Sequence, residues 1–130
     1  MSLVKNNKLV IVINKSVNEI FSFLINPKNT PLWVDSIVSE EVNEKPTRIG
    51  TVYKNVNQNG IWTEYVITAF TQDKMFIFTT IDKNYHVKYT FTSLGENSTR
   101  LEYYEWVEKG EIQDPFSIDI LKKLKAILER

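Results

Sequence analysis

The chain has 130 residues, no cysteine, and 16 basic side chains balanced by 16 acidic ones. A chain of this length forms one domain, here residues 1–130, and buries about two-thirds of the surface that its unfolded form exposes. The lack of cysteine excludes a disulfide framework, a cysteine zinc site and a cysteine nucleophile. The zero net charge argues against a nucleic-acid-binding protein.

The sequence contains no evident targeting or membrane segment. None of its apolar runs approaches the about 20 residues that span a bilayer. The N-terminal residues lack the charged, apolar and small-residue succession of a signal peptide. We therefore expect a cytoplasmic protein without a membrane span.

The first strong pattern is a pair of short helices. Ser16 and Glu19 have the spacing of a capping box, in which each side chain accepts from the other residue's backbone N–H. Apolar residues then recur at helical spacing, at Val17, Ile20, Phe21 and Leu24. Asn26-Pro27 ends this helix, because the residue before a proline is disfavoured in the helical region. Asn29 or Thr30 then caps a second short helix with Pro31 at its start.

The rest of the chain is predicted to be mostly β-structure, with one helix at the end. Alternating apolar residues and turn signals place strands at 8–14, 36–43, 51–56, 61–71, 75–81, 85–93 and 99–107. The Asn59-Gly60 pair is a strong hairpin signal. Seven strands at this spacing predict one curved antiparallel sheet. Asp114-Pro115 opens a final helix whose apolar stripe runs from Phe116 to Leu128.

Two motifs resemble the START/Bet v 1-like superfamily, in particular its polyketide cyclase/dehydrase-like branch. They are S-V-x-x-I-F-x-x-L-x-x-P-x-N-x-x-x-W over residues 16–33 and R-I-G-T-x-Y over residues 48–53. Asn26 departs from this pattern, since the family often has Asp before the proline. The resemblance implies a helix-grip α+β fold, in which the curved sheet wraps the C-terminal helix and leaves a cavity between them.

The cavity that the resemblance implies has several candidate lining residues. The ligand-binding candidates are Trp33, Tyr53, Trp62, Tyr89, Tyr103 and Leu124. For Trp33 the alternative is a core aromatic that fills the corner between the two short helices and the sheet.

Two glutamates are candidate catalytic groups, although the pattern leaves their orientation open. Strand 61–71 is partly apolar on both faces, so either the face of Trp62 and Glu64 or the face of Tyr65 points inward. In strand 99–107 the resemblance places Tyr103 and Glu105 inward. The alternative is that the strand reaches solvent by Glu105, because glutamate is rarely buried without a partner.

Nucleophilic and metal chemistry have little support in the sequence. His86 is the single histidine and shares a solvent-like face with Lys88 and Thr90. A Ser-His-Asp triad would need that imidazole, and one histidine without cysteine is a poor metal site. We expect no metal and no cofactor.

The favoured function is binding of a small apolar or aromatic molecule, such as a lipid or polyketide, in the cavity. The first alternative is a metal-free cyclase or dehydratase in which Glu64, Glu105 and tyrosines transfer protons. The second is a protein-interaction module that uses the outer face of the sheet. A homodimer is a further possible assembly.

Overall fold

The computed structural model describes residues 4–130, which form one antiparallel sheet with helices on its concave side. The strands are β1 (Asn6–Ile13), β2 (Ile37–Val42), β3 (Val52–Asn57), β4 (Trp62–Thr71), β5 (Met75–Thr80), β6 (Tyr85–Gly95) and β7 (Ser98–Val107). The helices are α1 (Val17–Ile25), α2 (Thr30–Trp33) and α3 (Ile118–Leu128), with a 3-10 turn at Pro27–Asn29. This architecture confirms the predicted helix-grip fold.

The sheet has seven strands in the order β1-β7-β6-β5-β4-β3-β2, and all neighbouring strands are antiparallel. Consecutive strands from β2 to β7 are neighbours, and β1 pairs with β7. The predicted strand limits differ from the observed ones by at most two residues. Among residues 4–130, no helix has the length and apolar character required to span a membrane.

The start of α1 agrees with the predicted capping box, whereas the start of α3 differs from the prediction. The Ser16 Oγ accepts from the Glu19 N–H at 3.2 Å, as the capping box predicts. The last helix begins at Ile118, later than the predicted Asp114-Pro115 start. The physical reason is that the Phe116 N–H donates to Glu105 Oε2 at 2.8 Å, so this amide is held against the sheet before the helix begins.

The core lies between α1, α3 and the inner face of the sheet. Leu121 and Leu124 of α3 are fully buried. Phe21 of α1 packs edge-on against Phe70 and Phe76, with ring centroids 5.5 and 5.4 Å away. These contacts fix the helices across the sheet and leave the space near α2 less completely filled.

Two bulges determine which side chains face inward. On β4, the side chains of Tyr65 and Ile67 face inward. A register shift between Ile67 and Ala69 brings Phe70 to the same face. In β2 a shift between Ile37 and Ser39 brings Glu40 to the inner face. The bulges explain why β4 looks apolar on both faces in the sequence.

The first prediction concerns α3. The Leu121→Ala change should lower the free energy of unfolding by about 2–5 kcal/mol, because it removes a fully buried side chain and leaves a cavity. Urea denaturation monitored by circular dichroism measures the change. Leu94→Ala is the control, since Leu94 is 54% exposed, and it should cost less than about 0.5 kcal/mol. Equal losses in the two variants would contradict the packing described here.

Candidate functional site

A cavity of about 100 Å³ lies between the concave face of the sheet, the end of α1, α2 and the segment before α3. Every strand except β1 contributes to its wall. The lining residues are Leu24, Thr30, Trp33, Val34, Ile37, Glu40, Asn55, Tyr65, Phe78, Tyr85, Val87, Tyr89, Tyr103 and Phe116. Its volume is below the about 300–1,000 Å³ of typical ligand pockets, so this conformation has room only for a small molecule.

Aromatic rings form one continuous wall of the cavity. Phe116 stacks on Tyr103 with centroids 4.4 Å apart and the planes inclined by 4°. Trp33 meets the edge of Phe116 at 6.1 Å. Phe116 precedes α3 and is therefore not held by a helical hydrogen-bond ladder. Its position depends instead on Tyr103, Trp33 and the contact of its own backbone with Glu105.

Glu105 is a fully buried carboxylate directly behind this wall. Its Oε2 accepts from Asn7 Nδ2 at 2.9 Å and from the Phe116 N–H at 2.8 Å. Its Oε1 accepts from the Tyr85 hydroxyl at 2.6 Å. The three donors stabilise negative charge on the carboxylate, and they join β1, β6, β7 and the segment before α3.

Glu40 is a second carboxylate, and it lies directly in the cavity wall. Its Oε1 accepts from Thr30 Oγ1 at 2.6 Å and its Oε2 from Asn55 Nδ2 at 3.2 Å. Burial raises the pKa of Glu40 above its ordinary value, and these two hydrogen bonds offset part of that rise. Glu40 is therefore an acidic group whose charged form is disfavoured by its surroundings.

Tyrosine hydroxyls complete the polar part of the cavity. Burial, followed by the charges of Glu40 and Glu105, raises the pKa of Tyr65 to about 12. Burial and the same two charges also raise the pKa of Tyr89, so both carboxylates act on the same rings. Tyr85 and Tyr103 have pKa values raised chiefly by burial. All four phenols remain protonated near neutral pH and can donate hydrogen bonds.

Two of these hydroxyls are free to meet a bound molecule. Within the part of the chain that the structure describes, neither Tyr65 nor Tyr89 makes a side-chain hydrogen bond to another residue. Tyr89 is only 6% exposed, and both side chains line the cavity. Neither hydroxyl oxygen is fully enclosed, so both reach the open space of the cavity and can bond a polar group there.

The structure brings part of the sequence-predicted site together. Trp33, Tyr89 and Tyr103 line the cavity, and Trp33 also fills the corner beside α2. Glu105 is inward and partnered, so of the two orientations left open for strand 99–107 the structure has the inward one. In strand 61–71 the inward face is that of Tyr65.

The other predicted residues lie elsewhere, which corrects the sequence-based list. Trp62 is 54% exposed on the outer face, and Glu64 on the same face lies 3.4 Å from Lys54 Nζ. Tyr53 is buried, but its hydroxyl donates to the Ile25 carbonyl at 2.6 Å and it does not line the cavity. Leu124 belongs to the hydrophobic core.

Sequence reasoning missed Glu40, Tyr65 and Tyr85 as cavity residues. A signal for Glu40 is present in the sequence, because the apolar residues Ile37 and Val42 of one strand have opposite parity. Opposite parity requires a bulge between them, and Glu40 shares its face with Val42. For Tyr65 the inward face of β4 depended on the bulge after Ile67, whereas Tyr85 alternates with Val87 and Tyr89 on β6, and that alternation could have identified it.

Metal binding has no support at this site. Across residues 4–130 no group of three His, Asp or Glu side chains is arranged to hold a metal ion. His86 is on the outer face, where its ring stacks on Trp106 at 4.7 Å and its Nδ1 is 3.0 Å from Thr79 Oγ1. The chemistry available in the cavity is that of carboxylates, phenols, an amide and aromatic faces.

Comparisons with known proteins identify the fold. No protein-family model and no curated protein matches the sequence. A START superfamily protein from Mycobacterium smegmatis has a TM-score of 0.75 at 13% identity, covering 96% of this chain and 97% of that one. Norcoclaurine synthase from Thalictrum flavum, a point mutant in complex with a transition state analogue, has a TM-score of 0.69 at 13% identity, covering 99% and 97%.

The Aha1 dimer from Colwellia psychrerythraea is similar at a TM-score of 0.69 and 14% identity, covering 95% of this chain and 96% of that one. The TM-scores over nearly the full length of each chain show a shared architecture. The chain therefore has the START/Bet v 1-like helix-grip fold that the sequence motifs predicted.

The second prediction is a pH dependence specific to Glu40. Because its pKa is higher in the folded chain than the ordinary value of 4.5, the folded state binds more protons than the unfolded state above that value. The stability contributed by this group is thus fully present below 4.5 and is lost as pH rises through the raised pKa. Relative to Glu40→Gln, the wild type should lose stability as the pH is raised from 4.5 toward neutrality.

Urea denaturation of both proteins across this pH range measures the difference. A parallel series with Glu64→Gln, an outer-face position, controls for the loss of one carboxylate from the overall charge. A wild-type minus Glu40→Gln difference that stays flat, or that grows with pH, would contradict the burial of Glu40 described above.

Proposed function

We propose that this protein binds a small, largely apolar organic molecule in the cavity between the sheet and the segment leading into α3. The observation that carries the proposal is the Tyr89 hydroxyl, which has no protein partner among the described residues and opens into a cavity half of whose lining residues are aromatic. A hydroxyl that faces a cavity without a protein partner is available to a polar group of a bound molecule. A pocket lined by apolar surface with a few converging polar groups is the usual form of a ligand site.

The cavity volume indicates the size of the ligand. A space of about 100 Å³ is smaller than the about 150 Å³ cavity that holds benzene in an engineered protein. A single-ring ligand would thus require a modest outward shift of the wall. Phe116 is the side chain best placed to move, because it precedes α3 and contacts Trp33 and Tyr103 only through ring faces and edges.

The comparison with norcoclaurine synthase supports the proposal at the level of the fold. That protein is complexed with a transition state analogue, which is consistent with a helix-grip scaffold holding a small molecule. The assembly of this chain as a homodimer stays a prediction.

The third prediction is direct binding of a neutral single-ring probe. Benzyl alcohol should bind with a dissociation constant of about 1 mM, since eight heavy atoms at roughly 0.5 kcal/mol each give about 4 kcal/mol. Isothermal calorimetry measures the affinity, and a rise in melting temperature with probe concentration gives an independent reading.

A cavity-filling variant tests the location. Val87 lines the cavity and is 7% exposed, so Val87→Phe should abolish binding. Ile37→Phe, at another position in the wall, serves if the first variant does not fold. Val10→Phe is the matched control, because Val10 is 39% exposed on the outer face, and it should bind as the wild type does. Unchanged binding by folded Val87→Phe and Ile37→Phe would place the probe elsewhere.

A second candidate function is metal-free proton transfer on a carbonyl compound, of the cyclase or dehydratase kind. The favouring observation is a carboxylate with a raised pKa, Glu40, in the same cavity as the Tyr89 hydroxyl. Glu40 would accept a proton from carbon, and Tyr89 would donate a hydrogen bond to the developing enolate oxygen. Glu105 would hold Tyr85 and Phe116 in place, while Glu64 lies too far out to take part.

The fourth prediction tests this candidate with cyclohexanone in D₂O. Nuclear magnetic resonance should show exchange of the α-protons faster than in buffer, and Glu40→Gln should remove the excess rate while binding of benzyl alcohol persists. Glu64→Gln is the matched control and should exchange as the wild type does. Exchange that is no faster than in buffer would leave binding without turnover as the function.

A further inference from the structure

We propose that the ligand of this cavity is a cation: a small organic ammonium with an apolar or aromatic body. The inference rests on the proposed function and specifies the chemical class of the molecule that the cavity takes. It follows from the signs of the charges, the aromatic faces and the unpartnered hydroxyls, which point to the same ligand.

The buried charges of the site are all negative. Glu40 is in the wall and Glu105 is directly behind it. The fourteen lining residues include no lysine, arginine or histidine. Across residues 4–130, neither carboxylate takes part in an ion pair. A buried carboxylate without a counter-charge is energetically costly, so a cationic ligand would supply the charge that the protein does not.

The two carboxylates belong to strands near opposite edges of the sheet. Glu105 is on β7 and Glu40 on β2, with β6, β5, β4 and β3 between them in the sheet order. Both charges nevertheless raise the pKa of Tyr65 and of Tyr89. Glu40 lines the cavity, and Glu105 is linked to it through the hydroxyl of Tyr85, a lining residue, so a single positive charge in the cavity would be attracted by both.

The second feature that favours an organic cation is the aromatic lining of the cavity. Seven of the fourteen lining residues are Trp, Tyr or Phe. The face of such a ring is electron-rich and attracts an ammonium group, with the strongest effect when water is excluded. A wall of rings next to carboxylates favours an organic cation over an inorganic one, which would need several oxygen ligands.

The third feature is the pair of hydroxyls of Tyr65 and Tyr89, which have no protein partner among the described residues. An ammonium group carries N–H donors, and each phenol oxygen can accept one of them. Thr30 and Asn55 already donate to Glu40, so they orient the carboxylate without neutralising it. An anionic ligand would meet two negative charges, and a neutral one would leave both of them uncompensated.

The experiment compares three probes that share one ring and differ in charge: benzylammonium, benzyl alcohol and benzoate. Isothermal calorimetry at pH 7 and low salt gives the three affinities on the full-length protein. Benzylammonium should bind at least tenfold more tightly than benzyl alcohol, and benzoate should show no binding. Glu40→Gln should remove most of the preference for benzylammonium, measured as the ratio of its affinity to that of benzyl alcohol in the same variant.

Two further variants separate charge from structure. Glu105→Gln should reduce the same preference, and if it fails to fold, Glu40→Gln alone decides. Glu64→Gln removes an equal charge from the outer face and should leave the preference unchanged. Equal affinities for benzylammonium and benzyl alcohol would overturn the inference while the proposed function stands. Preferential binding of benzoate would also overturn it, and no binding of any probe would overturn both.

Discussion

The hydrogen bonds of the buried Glu105 carboxylate hold together the end of the structure where β1, β6 and the segment before α3 meet. Its two oxygens accept from Asn7 of β1, Tyr85 of β6 and the backbone of Phe116. One side chain thereby fixes three separate segments that are distant in sequence. The position of Phe116 follows, and with it the aromatic wall and the start of α3. A group so costly to bury is tolerated because it satisfies donors that would otherwise be left without acceptors.

The same contact links stability to the proposed role of the cavity. The sheet is curved by its bulges, so its two ends face each other across a space that α3 does not fill. Glu40 joins Thr30 of α2 to Asn55 of β3 in the wall of that space, and Glu105 holds its three partners directly behind the wall. The acidic character of the cavity is thus a by-product of how the fold closes, and a ligand that compensates it would stabilise the native state as well as occupy the site.

Much of the fold could be predicted from the sequence, because strands, caps and the α3 stripe depend on local periodicity. Residues 85–93 of β6 alternate without interruption before the register shift between Ser93 and Gly95, so the pattern places Tyr89 on the inner face correctly. The bulges could not be located in the same way, since an extra residue changes the phase of everything after it. Glu40 was missed for that reason, and Trp62 was named as a ligand-binding candidate although its strand is partly apolar on both faces and either face could point inward. The start of α3 depended on the Phe116–Glu105 contact, which no local pattern encodes.

The three tryptophans of the chain occupy three different environments. Trp33 is 3% exposed in the cavity wall, Trp62 is 54% exposed on the outer face, and Trp106 is stacked between His86 and Tyr104. Their fluorescence therefore reports on separate regions of the molecule. Emission from Trp33 senses the interior, whereas Trp62 emits as a solvated indole. A protein in which only Trp33 is retained would carry an intrinsic optical signal for the state of the cavity, without any attached dye.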